Sequence, residues 1–350
     1  MNLKRYLLAP LLIGLLAACA GDTTETTSPA TLSEEETNAA LSDLSSDMIS
    51  TVLSMNGDAS SVALQNFPTE AAFPLGSQTE STSALPRGRY DYDETEDAWQ
   101  LEGDSDDLIL TWSYSELDTA AEASLVVDWD AGGDTAQVAG PEGETLEAPT
   151  AFNLTLVAAG QEVANVDLAL DYYSADECGT EDGIAEPTSL SVNGTGSLFD
   201  LENVGFSVAD EDGAETVTTQ GKVALNQEAG TVLEWNVSLA GERERECFTS
   251  AYVPTSSNVN VSLTSDAGSF ALGVNINNVD LENKSAALSG GTLTINNMLA
   301  VSFAGTFGDS NGNGIPGEDV TLSFAGGKTV TLEEVISSNR AFAMLQGLRR

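Results

Sequence analysis

From residue 87 onward the chain alternates apolar and polar positions in short runs. Leu108, Leu110, Trp112 and Tyr114 fall on one side of one such run. A period of two places alternate side chains on opposite faces of a strand. Breaks rich in Gly, Asn and Asp separate the runs at hairpin spacing. The pattern predicts a mainly β domain over residues 87–330, built as one large antiparallel β-sheet arranged as a sandwich or a meander.

Helical spacing replaces this alternation near both ends of the chain. The apolar positions of the N-terminal segment are Leu41, Leu44, Met48, Val52 and Met55. Capping-box patterns open the two segments at Ser33–Glu36 and at Thr331–Glu334. We predict an N-terminal amphipathic helix over 32–57 and a C-terminal helix over 331–350. We expect the apolar stripe of the first helix to pack on the β domain, because an anionic membrane would repel its acidic polar face.

Two segments show neither the strand period of two nor the helical spacing. They are predicted to connect the other segments of the chain. Residues 58–86 contain Pro68, Pro74 and Pro86 and are predicted to form a linker. Residues 19–31 are rich in Thr, Ser, Ala and Gly, a composition typical of a flexible tether.

The first residues of the chain have the pattern of a leader. Lys4 and Arg5 precede an apolar run from Leu7 to Ala18, which is shorter than the roughly 20 residues that span a bilayer as a helix. The run ends in Leu16-Ala17-Ala18-Cys19, which resembles the lipobox of bacterial lipoproteins. An ordinary secretory leader with a chance cysteine is the alternative.

The lipobox resemblance implies a location and an anchor. Members of this class are cut before the cysteine, which would remove residues 1–18 and leave Cys19 to carry the acyl chains. Two or three such chains hold a protein stably on a bilayer. Ala20 stands where an Asp would favour the inner membrane, so the resemblance implies a lipid anchor in the bacterial cell envelope, at the outer membrane, with the domain in the periplasm or at the surface.

Two further cysteines remain, Cys178 and Cys247. In an oxidising compartment two such residues most simply pair with each other. We therefore predict a disulfide between them, which would leave neither thiol available as a nucleophile or a zinc ligand.

Charge and composition exclude several classes of function. The chain carries 55 acidic and 12 basic residues and no histidine, for a net charge of −43. This charge repels phosphate backbones and so excludes nucleic acid as a partner. The missing histidine excludes Ser-His-Asp and Cys-His catalysis and imidazole metal sites. Because charged residues are only 19% of the chain, a substantial core can form.

One loop has the pattern of a calcium site. The segment Asp309-Ser310-Asn311-Gly312-Asn313-Gly314 resembles the Asp-x-Asn-x-Asn-Gly calcium loops of EF-hands, dockerins and thrombospondin type 3 repeats, in which alternate oxygen ligands surround a hard cation. The resemblance implies that Asp309, Asn311 and Asn313 bind Ca²⁺ through their side chains and Ile315 through its carbonyl.

The loop departs from the EF-hand pattern at its end. Val320 occupies the twelfth position, where an EF-hand has a bidentate carboxylate. Glu318 or Asp319 would have to supply that ligand. The alternative is a plain Gly- and Asn-rich hairpin turn between strands that end at Phe307 and begin at Val320.

Acidic clusters elsewhere allow a second class of chemistry. They lie at 104–107, 177–182 and 210–212. Two carboxylates with unlike pKa values could hydrolyse a glycoside, although the sequence selects no particular pair. Solvated turns are the simpler interpretation of each cluster. Tryptophans and tyrosines could line a glycan groove, but each lies in an alternation typical of a core.

These observations favour a membrane-anchored envelope lipoprotein with a non-catalytic binding or structural role. A lipid, a glycan or a protein is the candidate ligand, and the membrane is a partner through the anchor. Ca²⁺ is the one candidate cofactor. A carboxylate-dependent, glycoside-type hydrolase and a calcium-stabilised surface adhesion protein remain the alternatives, and no oligomeric state is indicated.

Overall fold

The computed structural model describes residues 30–55, 58–69, 87–116, 119–139, 145–172, 187–211, 214–225, 230–243, 252–280, 283–313 and 315–338. The helices are α1 (Glu34–Met55), α2 (Ala59–Gln65) and α3 (Leu332–Ser338), and Ala325–Gly327 form a 3₁₀ turn. The strands are β1 (Gly88–Asp93), β2 (Ala98–Gly103), β3 (Leu108–Glu116), β4 (Thr119–Asp128), β5 (Thr135–Ala139), β6 (Thr145–Pro149), β7 (Ala151–Ala158), β8 (Gln161–Tyr172), β9 (Pro187–Gly196), β10 (Phe199–Glu211), β11 (Ala214–Leu225), β12 (Thr231–Arg243), β13 (Tyr252–Ser265), β14 (Gly268–Asp280), β15 (Ser285–Ile295), β16 (Met298–Phe307), β17 (Asp319–Ser323) and β18 (Thr329–Thr331).

The predicted large β-sheet is confirmed, and within the described chain it has sixteen strands. From β7 to β18 each strand pairs antiparallel with the next, which is a meander. At the other edge the order is β7, β4, β3, β1 and β2, and strands β5 and β6 form a separate hairpin. The sheet is not wholly antiparallel, because β3 returns beside β1 and pairs parallel with it.

The strand register gives the sheet two unlike faces. Gly221, Trp235, Val261, Leu272 and Leu293 are successive cross-strand neighbours on one face. One residue further along each strand the neighbours are polar or small and point to the opposite side. The Trp235 indole occupies the space beside Gly221, where a Cβ atom would lie 2.5 Å from the ring.

The N-terminal helices cover part of the apolar face. Leu44 of α1 is 4% exposed and packs with Leu263, Phe270 and Leu272. This contact confirms that the amphipathic helix packs on the β domain, where burial of one leucine contributes roughly 2 kcal/mol. Ala63 of α2 is fully buried in a second cluster, against strands β3, β4 and β7.

Both predicted capping boxes are present. Glu36 accepts a 2.8 Å hydrogen bond from the Ser33 backbone N–H, and the Ser33 hydroxyl accepts one of 3.3 Å from the Glu36 N–H. Glu334 and Thr331 exchange the same pair of bonds at 2.9 and 3.2 Å. The two helices therefore begin where the sequence predicts.

The helix lengths differ from the prediction. Helix α2 lies inside the segment 58–86 that was predicted to be a linker, because two helical turns are too short to show a period in the sequence. Within the described chain α3 ends at Ser338, and residues 339–350 of the predicted C-terminal helix lie outside the described residues. None of the described helices combines the length and apolar character needed to cross a bilayer.

Candidate functional site

A cleft of about 400 Å³ lies on the polar side of the sheet, across strands β10 to β14. Two adjacent cross-strand rows form it. The first row runs through Glu202, Lys222, Glu234, Ser262 and Ala271, and the second runs through Gln220, Asn236, Asn260 and Gly273. Small residues on β14 beside longer side chains on β10 to β12 give the surface its depth.

Lys222 stands between two acidic residues in the first row. Its Nζ lies 2.8 Å from Glu202 Oε2, and Glu234 is its neighbour on the other side. The hydrogen bond to Glu202 and the attraction of the two carboxylates raise the pKa of Lys222. The Lys222 and Glu202 side chains are 42% and 60% exposed, so this group of charges faces solvent and can meet a ligand.

Asparagine side chains in and beside the cleft hold one another in place through hydrogen bonds. Asn260 Nδ2 donates to Asn258 Oδ1, and Asn258 Nδ2 donates to Asn275 Oδ1, both at 2.5 Å. Each amide is therefore held with a defined orientation on a partly exposed strand surface. Hydrogen-bonding groups fixed in advance lose less conformational entropy on binding.

The loop predicted to bind calcium joins β16 to β17, as the hairpin interpretation also requires. Asp309 Oδ1 and Asn311 Oδ1 both accept from the Asn313 backbone N–H, at 3.0 and 2.9 Å. Asn313 Oδ1 accepts from the Ile315 N–H at 2.8 Å. Three of the predicted ligand oxygens are thus directed at the backbone of the loop itself.

The two acidic residues at the end of this loop converge on Ser310. Its hydroxyl donates to Glu318 Oε1 at 2.6 Å and to Asp319 Oδ2 at 2.9 Å. The Asn311 N–H also donates to Glu318 Oε1, at 2.6 Å. The Ser310 hydroxyl is the main cause that lowers the pKa of Glu318. The other oxygen, Glu318 Oε2, is buried and has no hydrogen-bond partner among the described residues.

Glu333 also belongs to this loop, although the sequence did not indicate it. It lies in the first turn of α3, and its carboxylate accepts hydrogen bonds from the side-chain amides of Asn311 and Asn313. The Glu333 N–H donates to the Gly317 carbonyl at 3.3 Å. Its place after a capping threonine was visible in the sequence, but the contact depends on how α3 folds back.

The fit of this loop to Ca²⁺ is partial. The orphaned Glu318 Oε2 is a suitable oxygen ligand for a hard cation. However, no three acidic, His or Cys side chains converge to hold a metal ion anywhere in the described part of the chain. Calcium binding would require Asp309, Asn311 and Asn313 to exchange loop hydrogen bonds for metal contacts.

One of the predicted acidic clusters lies at a turn that an ion pair holds. Asp106 and Asp107 lie between β2 and β3, where Arg87 donates to the Asp106 carbonyl and, with two nitrogens at 2.9 and 3.0 Å, to Asp130. Burial and the nearby Asp128 raise the pKa of Asp107. The cluster at 177–182 lies outside the described residues.

The cysteines also lie outside the described residues. This applies to Cys19, the predicted lipidation site, and to Cys178 and Cys247, the predicted disulfide. No family model matches the chain, and comparisons with curated proteins and with solved structures found no match.

Proposed function

We propose that the chain is a bacterial lipoprotein, anchored at the outer membrane through acyl chains on Cys19, whose sheet has a non-catalytic binding role. The lipobox resemblance supports the anchor. The cleft between β10 and β14 carries the proposal of binding, because it gathers Glu202, Lys222 and Asn236 on an open sheet face.

The anchor is tested by mass spectrometry of the protein from bacterial membranes. We expect an N-terminal peptide that begins at Cys19 and carries acyl chains, and Cys19→Ala should lose both the acyl mass and membrane association. Cys178→Ser is the matched control and should remain anchored. An unmodified N-terminus cut at another position would contradict the anchor.

The binding role is tested by a thermal-shift screen against oligosaccharides, lipid micelles and peptides. A ligand that binds the folded state raises the unfolding temperature. The shift should disappear in Glu202→Ala/Glu234→Ala and persist in Glu147→Ala/Glu162→Ala, whose acidic side chains lie on other exposed strands. A shift that survives the first pair would place binding elsewhere.

A glycoside hydrolase is the second candidate, since Glu202 and Glu234 flank Lys222 in the cleft. Such an enzyme needs one carboxyl group shielded from water so that it stays protonated near neutral pH. Glu202 and Glu234 are both exposed, which favours the non-catalytic role. New reducing ends in a glycan incubated with the wild type, absent with Glu202→Gln/Glu234→Gln, would overturn that role.

We also propose the disulfide between Cys178 and Cys247. The segments that contain them leave the ends of β8 and β12, which lie at the same end of the meander because alternate strands run in one direction. Alkylation without prior reduction should label neither cysteine, and reduction should expose both. Labelling of both without a reductant would contradict the pairing.

A calcium-stabilised surface adhesion role is the remaining proposal. The buried Glu318 Oε2, which has no hydrogen-bond partner among the described residues, favours it, together with the closure of α3 on the loop through Glu333. Asp309, Asn311, Asn313, Ile315, Glu318 and Asp319 would be the ligand set. Ca²⁺ would supply charge neutralisation and stability there, without a catalytic step.

A further inference from the structure

The polar side of the sheet contains a broad area without charged side chains. It consists of the outward positions of β9 to β17 in three adjacent cross-strand rows, and we call it the uncharged face. Its residues are Ser191, Gly205, Gln220, Asn236, Asn260, Gly273, Thr292, Ser302 and Ser323 in the first row, Ser189, Ser207, Thr218, Ser238, Asn258, Asn275 and Gly290 in the second, and Ala209, Thr216, Ala240 and Ser256 in the third.

This composition departs from the rest of the chain. Charged residues make up 19% of the sequence, so a surface of this size would ordinarily carry several. Apart from Gly273, its residues are exposed or partly exposed, so burial does not explain the missing charges. It extends roughly 40 Å along the first row, since neighbouring strands lie about 4.8 Å apart.

The chemistry of the uncharged face selects its ligand. Hydroxyl and amide groups both donate and accept hydrogen bonds, as the hydroxyl groups of a sugar do. A surface without ions can be covered by a neutral ligand without the large cost of desolvating a charge. The ladder from Asn260 through Asn258 to Asn275 fixes its amides in advance.

Charge and the lack of apolar side chains disfavour three competing occupants. A chain of net charge −43 repels anionic polymers, and it repels a second copy of itself. The outward side chains of the three rows include no large apolar group that could enter a lipid layer. A neutral, hydroxyl-rich polymer meets neither obstacle.

We propose that the uncharged face binds a neutral polysaccharide, and this inference rests on the proposed binding role of the sheet. The cleft lies at the edge of the face, where Glu202 and Glu234 adjoin the uncharged rows. Carboxylates there accept charge-assisted hydrogen bonds from sugar hydroxyls, which are stronger than bonds between neutral groups. The cleft therefore anchors one stretch of the polymer, and the face extends the contact along it.

Affinity electrophoresis of the mature chain tests the proposal. The gels contain laminarin, galactomannan or hydroxyethyl cellulose as neutral polymers, or alginate as an anionic one. We expect at least one neutral polymer to retard the protein and alginate not to. Retardation by alginate alone, or by no polymer in the panel, would overturn the proposal.

Matched variants locate the contact. Asn236→Ala/Asn260→Ala should weaken binding about tenfold, as the loss of two hydrogen bonds predicts. Gln100→Ala/Gln137→Ala removes two amide side chains from strands outside the face and should bind as the wild type does. Circular dichroism establishes that each variant is folded. Equal binding by the first pair and the wild type would overturn the assignment of the face.

Three further readouts separate this inference from the function on which it rests. Sedimentation that shows dimers, broken by Ser238→Asp, would assign the face to a second copy and overturn the polysaccharide proposal alone. Acylation of Cys19 with no polysaccharide binding would leave the lipoprotein proposal standing and remove only the ligand. Shortening of a bound polymer would instead overturn the non-catalytic role while supporting the ligand class.

Discussion

The indole Nε1 of Trp112 donates a 3.1 Å hydrogen bond to the Ala63 carbonyl oxygen. This bond joins strand β3 to helix α2 in a cluster where both residues are at most 2% exposed. The carbonyl lies near the C-terminal end of a two-turn helix, where it also accepts a 3.2 Å hydrogen bond from the Asn66 N–H. Trp112 adds a second donor from the sheet, and this bond holds the helix against the sheet.

Loss of this donor should destabilise the protein measurably. Trp112→Phe removes this donor and leaves the Ala63 carbonyl with the Asn66 N–H as its donor, and we expect the free energy of unfolding to fall by about 1 kcal/mol. Trp99→Phe is the matched control, because Trp99 Nε1 is buried without a hydrogen-bond partner in the described chain. Urea denaturation measures both variants, and equal losses would show that the Trp112 bond contributes nothing.

The N-terminal cap of α1 should also contribute to stability. Ser33→Ala removes the hydroxyl that accepts from the Glu36 N–H, and a lost cap costs about 1 kcal/mol. Ser46→Ala is the control on the same helix, since its hydroxyl only donates to the Ser42 carbonyl, and it should be near neutral. The midpoint of urea unfolding is measured for both variants. If Ser33→Ala lowers the midpoint no more than Ser46→Ala does, the role of the cap is contradicted.

The ion pair of Arg87 with Asp130 should make stability depend on pH. The hydrogen bond from Arg87 lowers the pKa of Asp130 below its usual value. A carboxylate with a lowered folded-state pKa stabilises the fold above its unfolded pKa and loses this contribution as pH falls through the folded value. Asp130→Asn should therefore be less stable than the wild type at neutral pH. The difference in their free energies of unfolding should disappear in acid.

The contribution of Asp130 is measured as the difference in unfolding free energy between the wild type and Asp130→Asn at each pH. Protonation of the other carboxylates also relieves repulsion within a chain of net charge −43, and the comparison cancels that effect. Unfolding free energies of the wild type and the variant are measured by urea titration from neutral to acidic pH. A gap that stays constant over this range would contradict the contribution of Asp130.

Calcium should raise the unfolding temperature if the loop between β16 and β17 binds it. Glu318→Gln removes one charge from the carboxylate whose Oε2 is buried without a partner in the described chain, and it should abolish both the shift and the heat of binding. Glu147→Gln, on the separate hairpin, is the control. Titration calorimetry that detects no heat with the wild type would remove Ca²⁺ as a cofactor.

Much of the fold follows from local sequence. The alternation from Leu108 to Tyr114 predicted a strand with one buried face, and all four of its apolar side chains are at most 4% exposed. The boxes at Ser33 and Thr331 located two helix starts. These features depend on residues close in sequence, where side-chain period and hydrogen-bond chemistry act directly.

The parts that sequence did not predict depend on distant residues. The parallel pairing of β1 with β3 depends on the edge of β1 at which the returning chain adds β3. The cleft depends on register, since a slip of one residue would move Lys222 to the other face. Glu333 reaches Asn311 only because α3 folds back on the loop. None of these relationships has a local period or spacing.

The order of synthesis constrains how this molecule assembles. The Thr31 hydroxyl donates to the Leu299 carbonyl, 268 positions away, and α1, which follows, lies across strands β12 to β14 from the second half of the chain. Residues near the N-terminus therefore emerge first and find their partners last. Contacts between such distant residues make folding slow, so α1 keeps its apolar stripe uncovered until the strands beneath it have formed.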